Sequence, residues 1–454
     1  MKRKVPRSKI GRLTPKVSKP KKQEVPEMNN TQNEKIAQVT NETMVIGIDI
    51  GSTKHWARAF DNRGMEISKK AFGFNNTAEG FASFEVWYET QRRAAGLKRI
   101  MVGLEPTGHY WFNLNQFLAE NGIKVVLVAP QHVKHSKELD DNTQRKDDLK
   151  DPRVIAKLVT EGRYFQPYRP TGVYADLRDG FTRRCGIVES MTQAKNRLHR
   201  WFCINFPEYL NAYGSVAAKT GLMVLKKAPL PKDIVELGVD RIVKIWRDAK
   251  VRGAGIKRAT TLVALAEQSI GEKTANEAAR LELWQLLEDY EHFAHQYDVI
   301  EEMLKRKIHD VPHADRLLQI PGIGYFTVIG FFAEVGSIDR FDDPKQIQKL
   351  AGLSVVENSS GKRKGLPGIS KRGRDRLRWV LFQGAMSMVK NNQEFKEIHL
   401  YFTTREENPL KKMQSLMAVA AKIIRVFYGM AKNGTEYDPE RLLRDIRRPE
   451  KVAA

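Results

Sequence analysis

Four acidic residues near the front of the chain stand where they could do chemistry together. Asp49 ends the apolar run Met44-Val45-Ile46-Gly47-Ile48, and Glu105 ends a second run through Gly103-Leu104. Asp148 and Asp151 lie three apart at the entry to a helix beginning Pro152-Arg153-Val154-Ile155-Ala156, so both can face the same place. Carboxylates that converge repel one another unless a cation sits between them. An all-oxygen set of this kind suits one or two Mg²⁺ ions, which can activate an attacking oxygen and stabilise the leaving oxygen of a phosphodiester. Asp147 competes with Asp148 for the third position, and spacing does not choose between them. Asp151 before Pro152 also has the form of an N-cap with proline at the first helical position. His132 and His135 have metal-like spacing but no further soft ligands, and they read as surface.

A second chemical region lies far along the chain. Leu318-Gln319-Ile320-Pro321-Gly322-Ile323-Gly324 precedes an apolar stretch at 325–335 and has the form of a helix-hairpin-helix turn. The backbone N–H groups of Gly322 and Gly324 could hold a phosphate there without reading bases. Further on, Ser359, Ser360 and Gly361 are followed by Lys362, Arg363 and Lys364, and then by Lys371, Arg372, Arg374, Arg376 and Arg378. A serine among glycines and dense positive charge could attack a phosphodiester, because nearby cations favour the alkoxide and the transition state. Spacing alone favours reading the same two serines as turn residues.

These residues need elements to position them. Residues 44–50 read as a buried strand, and 56–61 and 65–72 complete a three-stranded meander around the turn signal Asp61-Asn62-Arg63-Gly64. A helix near 78–95, a strand at 99–105, a helix at 110–121, a strand at 123–129 and a helix from about 152 follow. The order βββαβαβα is that of an RNase H-like, or RuvC-like, mixed sheet, in which the strands ending at Asp49 and Glu105 are neighbours. Residues 180–310 read as mostly helical. Leu283, Leu287, Tyr290, Ala294, Tyr297, Ile300 and Leu304 recur at intervals of three and four, as an intramolecular hairpin or a short coiled coil requires. The resulting division is a basic flexible arm and linker at 1–43, an α/β domain at 44–205, a helical linker or coiled coil at 206–310, a mainly α domain at 311–400, and a C-terminal helix and tail at 401–454.

Composition narrows the partner. The 454 residues include 77 Lys plus Arg against 54 Asp plus Glu, a net charge of +23, which points to a polyanion. Residues 1–22 carry ten basic side chains and no acidic one. With the run at 357–383 they account for +16 of the +23. Two cysteines, Cys185 and Cys203, make neither a zinc cluster nor a disulfide framework and fit a reducing cytosol. No apolar run spans a membrane, and the basic N-terminus lacks the apolar core of a signal peptide, so a cytoplasmic location is expected.

Taken together, Ile46-Gly47-Ile48-Asp49, Glu105-Pro106-Thr107-Gly108 and Asp148-Leu149-Lys150-Asp151-Pro152-Arg153 resemble the Asp-Glu-Asp-Asp (DEDD) domain of insertion-sequence transposases related to Piv-type DNA invertases. Pro321-Gly322-Ile323-Gly324, Ala351-Gly352-Leu353, Ser360-Gly361 and Gly368-Ile369-Ser370-Lys371-Arg372-Gly373 resemble that family's C-terminal domain. The likeness spans roughly 44–395, with both halves in order. It implies a RuvC-like domain binding Mg²⁺ through Asp49, Glu105, Asp148 and Asp151. It also implies a serine nucleophile at Ser360, with Ser359 as its neighbour, forming a covalent bond to DNA. The acidic site and the serine are implied to meet across subunits of a dimer or tetramer. A structured noncoding RNA, the bridge RNA, is implied to choose donor and target double-stranded DNA by base pairing. The arm at 1–43 departs from the family, whose members mostly begin close to the first strand. Two readings compete with a serine recombinase: a metal-only nuclease of junction-resolving type, and a nucleic-acid-binding scaffold with a dead site.

Overall fold

The computed structural model describes residues 28–140, 150–272, 277–356, 359–360, 363–364, 367–444 and 446. It divides into two units, residues 1–168 and 169–454.

The first unit is built on a five-stranded mixed sheet. Helix α1 (Met28–Ala37) precedes β1 (Thr43–Asp49), β2 (Lys54–Phe60) and β3 (Phe72–Asn75). Helix α2 (Ala78–Ala94), β4 (Arg99–Leu104), α3 (Phe112–Glu120), β5 (Lys124–Leu127), α4 (Pro130–Asp140) and α5 (Asp151–Thr160) follow. The strand order is β3-β2-β1-β4-β5. β1 runs antiparallel to β2 and parallel to β4, and β4 runs parallel to β5. Both faces of the sheet are covered, which is why β1 is apolar throughout rather than alternating. Its even-numbered residues Met44, Ile46 and Ile48 join a core with Phe84, Leu114 and Leu118. On the other face Val45, Met101 and Val126 pack against Val154, Ile155, Leu158 and Val159 of α5. Each of those buried aliphatic side chains contributes about 1.5–3 kcal/mol.

The element order matches the expectation, with local differences. The third strand falls at 72–75 rather than 65–72, and the earlier stretch makes only a bridge from Glu66 to Phe60. The segment read as linker before residue 43 contains α1. Its polar side chains are held by tertiary bonds rather than by an apolar stripe. Gln32 donates to the Glu161 carbonyl at 2.9 Å, Lys35 to the Tyr164 carbonyl at 2.8 Å, and the Tyr164 hydroxyl to the Lys35 carbonyl at 3.0 Å.

The second unit is helical. Helix α6 (Val173–Asn205) leads through α7 (Tyr209–Tyr213), α8 (Lys219–Leu225), α9 (Pro231–Asp248) and α10 (Ile256–Glu267) to α11 (Glu277–Ile308). Then come α12 (Ala314–Leu318), α13 (Tyr325–Val335) and α14 (Pro344–Leu350). Four two-residue strands follow: β6 (Val355–Val356), β7 (Ser359–Ser360), β8 (Arg363–Lys364) and β9 (Gly368–Ile369). Helices α15 (Asp375–Asn391), α16 (Gln393–Thr404), α17 (Lys412–Asn433) and α18 (Pro439–Leu443) end it. Leu177 and Phe181 of α6 share one core with Leu304 and Ile308 of α11, whereas Leu198 and Phe202 share another with Leu283 and Leu287. The two long helices therefore lie antiparallel and join two cores, so the heptad-like pattern is satisfied within the chain. This packing carries α6 into the second unit, which begins at residue 169. No helix among the described residues is long and apolar enough to cross a membrane.

Candidate active site

The acidic residues are brought together by register. Ile48 of β1 pairs with Leu104 of β4 in a parallel ladder, so Asp49 and Glu105 leave the ends of adjacent strands side by side. Side chains alternate across a strand, which puts both carboxylates on the face that α5 covers. The same alternation puts Gly47 and Gly103 one step earlier on that face, beneath the helix. A Cβ on Gly47 would lie 1.8 Å from the Pro152 carbonyl oxygen, and one on Gly103 would lie 2.6 Å from a Val159 methyl. The two glycines thus let α5 sit directly on the sheet, and α5 carries Asp151 at its first turn.

Asp151 is not the N-cap. The helix begins at Asp151 itself, with Lys150 at the cap position and no capping side-chain bond. The residue is buried, at 6% exposure. Its Oδ1 forms an ion pair with Lys137 Nζ of α4, yet that oxygen receives no well-directed hydrogen bond. Burial pushes the Glu105 carboxyl above its ordinary range; the Lys137 ammonium opposes that rise, and the Asp151 and Asp49 charges add to it. Three of the four expected carboxylates therefore share one electrostatic neighbourhood. Asp148, with its competitor Asp147, lies outside the described residues. Among those described, no three His, Cys, Asp or Glu side chains form a group that could hold a metal. The donor chemistry nevertheless fits a hard divalent cation, with carboxylate oxygens only, one of them buried and poorly satisfied. His132 and His135 are exposed on α4.

The serine region lies in the second unit. β6 pairs antiparallel with β9, and beyond them Ser359 stands opposite Lys364 and Ser360 opposite Arg363. Lys362 lies outside the described residues. The base of this excursion is pinned backbone to backbone: Lys371 N–H donates to the Gly352 carbonyl at 3.0 Å, and Arg374 N–H to the Leu350 carbonyl at 2.7 Å. Gly352 has φ +67 and lies so close that a Cβ would be 2.9 Å from the Lys371 carbonyl carbon. Several nearby arginines serve this scaffold. Arg374 donates to the Glu334 carbonyl at 2.5 Å and Arg378 to the Ala351 carbonyl at 3.0 Å, whereas Lys371 and Arg372 are exposed. Gly322 has φ +89, and its carbonyl accepts from Ser387 Oγ at 2.8 Å. Gly324 caps α13 without any side-chain bond. Beside that turn, His309 Nδ1 meets Asp315 Oδ1 at 2.5 Å and His309 Nε2 meets the Tyr325 hydroxyl at 3.3 Å.

Lys137 and the two glycines had no place in the sequence reading. The glycines carried a signal, because Gly-x-Asp at 47–49 and Gly-x-Glu at 103–105 repeat one spacing at two strand ends. Lys137 carried none.

Two family models match the chain in the order of these two sites. The DEDD family of IS110 elements, described as "Transposase", covers residues 46–207, and the "Transposase IS116/IS110/IS902 family" covers 314–400. The chain belongs to the IS110/IS116 transposase family. This family member is 26% identical to an uncharacterized 44.8 kDa protein of insertion element IS116 from Streptomyces clavuligerus, over 87% of the chain and 96% of that relative. It is 38% identical to the transposase for insertion sequence element IS1111A of Coxiella burnetii, over 22% of the chain and 28% of the relative. A probable family 20 transposase of Pseudomonas aeruginosa is 23% identical over 75% of the chain and 86% of the relative. The protein is thus a DNA transposase, an enzyme whose substrate is DNA.

Proposed function

We propose that this transposase excises and inserts its element as a Mg²⁺-dependent serine recombinase. Asp49, Glu105, Asp148 and Asp151 would hold the metal and Ser360 would attack DNA. The observation that carries the first half is the in-register pairing of β1 with β4, which sets Asp49 beside Glu105 with Asp151 delivered by α5. Mg²⁺ bound there would polarise the scissile phosphate and stabilise the departing oxygen. Lys137 would give up its place against Asp151 when the cation enters. In the second unit Ser360 Oγ forms a bond to phosphorus as one backbone P–O bond breaks. The proton lost by the serine hydroxyl is delivered through solvent to the leaving oxygen, which departs as a free hydroxyl. Lys362, Arg363 and Lys364, next to Ser360 in the sequence, would add positive charge that favours the attack. Gly322 and Gly324 hold a DNA phosphate away from the cut.

The choice of Ser360 over Ser359, the guide RNA and the joining of the two sites across a dimer or tetramer all rest on the family resemblance. The net charge of +23 supports a nucleic-acid assembly of that kind. The test is a denaturing gel of the protein with labelled element-end DNA and guide RNA. A protein–DNA adduct forms with wild type and is absent in Ser360→Ala and Asp49→Ala. Free ends without any adduct would favour the metal-only nuclease, and normal recombination by Ser360→Ala would move the nucleophile elsewhere.

A further inference from the structure

Beside the serine excursion the second unit holds a groove of about 1250 Å³. That is larger than the ~300–1,000 Å³ that holds a drug-sized ligand. Trp379, Phe382, Tyr401 and Phe402 line it together with aliphatic side chains such as Leu353, Ile398, Leu410 and Met417. Lys371, Lys422 and Arg425 also line it, with Asp375 as the acid among the lining residues, while the Arg378 guanidinium there is engaged with the Ala351 and Lys371 carbonyls. Val355 and Ile369, which pair at the base of the excursion carrying Ser359 and Ser360, also line it.

The parts are held ready. Trp379 is 44% exposed although it is a large apolar side chain. Its indole is braced edge-on by Phe326 at 5.2 Å. Lys371 has φ +54, a conformation fixed by its bond to Gly352 and by Arg378 Nη1 donating to its carbonyl at 3.2 Å. A groove that combines exposed aromatic side chains with cations is complementary to nucleobases strung on phosphates.

We infer that this groove holds an unpaired stretch of the DNA strand next to the cleaved phosphate, with a base stacked on Trp379 and phosphates at Lys371 and Arg425. The inference rests on the reading of the 359–360 segment as the reacting one, because continuity with that segment is what makes the occupant DNA. Strand exchange must separate bases from their partners, and each exposed base costs a few kcal/mol of lost stacking. A stacking platform beside the cut returns about 1–3 kcal/mol per base.

The experiment uses the full chain and a labelled 12-nucleotide oligo-dT, read by fluorescence anisotropy, with a 12-base-pair duplex as control. Trp379→Ala should weaken oligo-dT binding by about 5- to 150-fold, which is the stacking range converted at 1.36 kcal/mol per decade. Duplex affinity should change by less than a factor of two. Trp379→Phe keeps a ring against Phe326 and should lose less, which guards against a folding defect. Arg425→Gln should flatten the salt dependence for oligo-dT by about 0.7 of a unit. Equal losses for single strand and duplex, or no loss for either, overturn the proposal. Tighter binding of oligo-rU than oligo-dT overturns it in favour of RNA. Oligo-dT binding gained only after removal of residues 447–454 overturns it and assigns the groove to the C-terminal tail. The adduct assay on Ser360→Ala and oligo-dT binding by Trp379→Ala are separate readouts, so failure of the nucleophile assignment is separable from failure of the groove.

Discussion

Replacing Gly47 by alanine tests the geometry of the acidic site most directly. The new Cβ would stand 1.8 Å from the Pro152 carbonyl oxygen, 2.8 Å from its carbonyl carbon and 2.9 Å from the Ala156 nitrogen. All three are backbone atoms of α5, so no side chain can swing aside. Ordinary contact begins near 3.4 Å, and the first turn of α5 must therefore lift by about 1.6 Å. Overpacking of this kind costs about 1–3 kcal/mol. Asp151 immediately precedes Pro152 and moves with it, away from Asp49 and Glu105. A 1 Å misplacement of catalytic groups costs about 10²-fold in rate, so cleavage of element-end DNA should fall by at least that factor. Thermal melting, DNA cleavage and binding should be measured on one preparation. The expected pattern is a folded protein, a lowered melting temperature, near-normal DNA binding and a cleavage loss of two decades or more. A folded Gly47→Ala protein that cleaves at the wild-type rate would refute the claim that this glycine sets the carboxylate spacing.

Gly186, in the middle of α6, is the matching control. It has open space around its Cβ direction, so Gly186→Ala should raise stability by about 0.5–1 kcal/mol, and a loss on denaturant melting would contradict that. Lys137→Ala removes the cation paired with Asp151, so added Mg²⁺ should raise its melting temperature more than that of wild type. An equal rise in both would show that Lys137 does not stand in the metal's place. His55 is fully buried, and burial holds its imidazole below the ordinary histidine range, opposed by Asn76. Neither ring nitrogen, however, makes a well-formed hydrogen bond. The unfolded chain thus takes up a proton near pH 6.5 that the folded one resists, and stability present above that pH is lost below it, by at most about 1.4 kcal/mol per pH unit. Glu105, shifted upward, acts in the opposite sense. His55→Leu should therefore show a shallower fall in melting temperature between pH 7 and pH 5, and an unchanged slope would exclude His55 as its source.

The first unit was legible because each strand had to bury specific faces. The apolar run at 44–48 is bounded by Asp49, and the run at 100–104 by Glu105. Two such runs in one sheet needed only adjacency to join their acids. What the residues did not disclose depends on distance in three dimensions. Lys137 sits on α4, a helix that the residue pattern did not disclose, and its ion pair exists only because α4 and α5 pack. Helix α1 was missed because its anchors are carbonyl oxygens of residues 161 and 164, which carry no side-chain signature. The pairing of α6 with α11 was one of two open readings. Arg184 donating to Glu301 at 2.6 Å and Gly180 admitting Leu304 place that seam inside the chain.

The charge of the serine region also divides in a way composition could not show. Of the basic residues at 362–378, Arg374 and Arg376 lie within 3.3 and 3.9 Å of the buried Glu334. Arg376 also donates to Thr182 at 2.8 Å, and Arg378 holds the carbonyls of Ala351 and Lys371. Guanidinium forks spent on carbonyls and a carboxylate inside the protein are not free to neutralise phosphates, since each such bond would have to be broken first. Among the described basic side chains of this stretch, Lys371 and Arg372 are the exposed ones, and the proposed phosphate contacts therefore rest on them and on the sequence run Lys362, Arg363 and Lys364. Neutralising Lys362, Arg363 and Lys364 should weaken binding to all DNA sequences alike and flatten its salt dependence by about one unit for each phosphate no longer neutralised. Arg374→Ala should instead lower stability with little change in that slope. If Arg374→Ala flattened the salt dependence while melting normally, the division between scaffold and phosphate charge would be wrong.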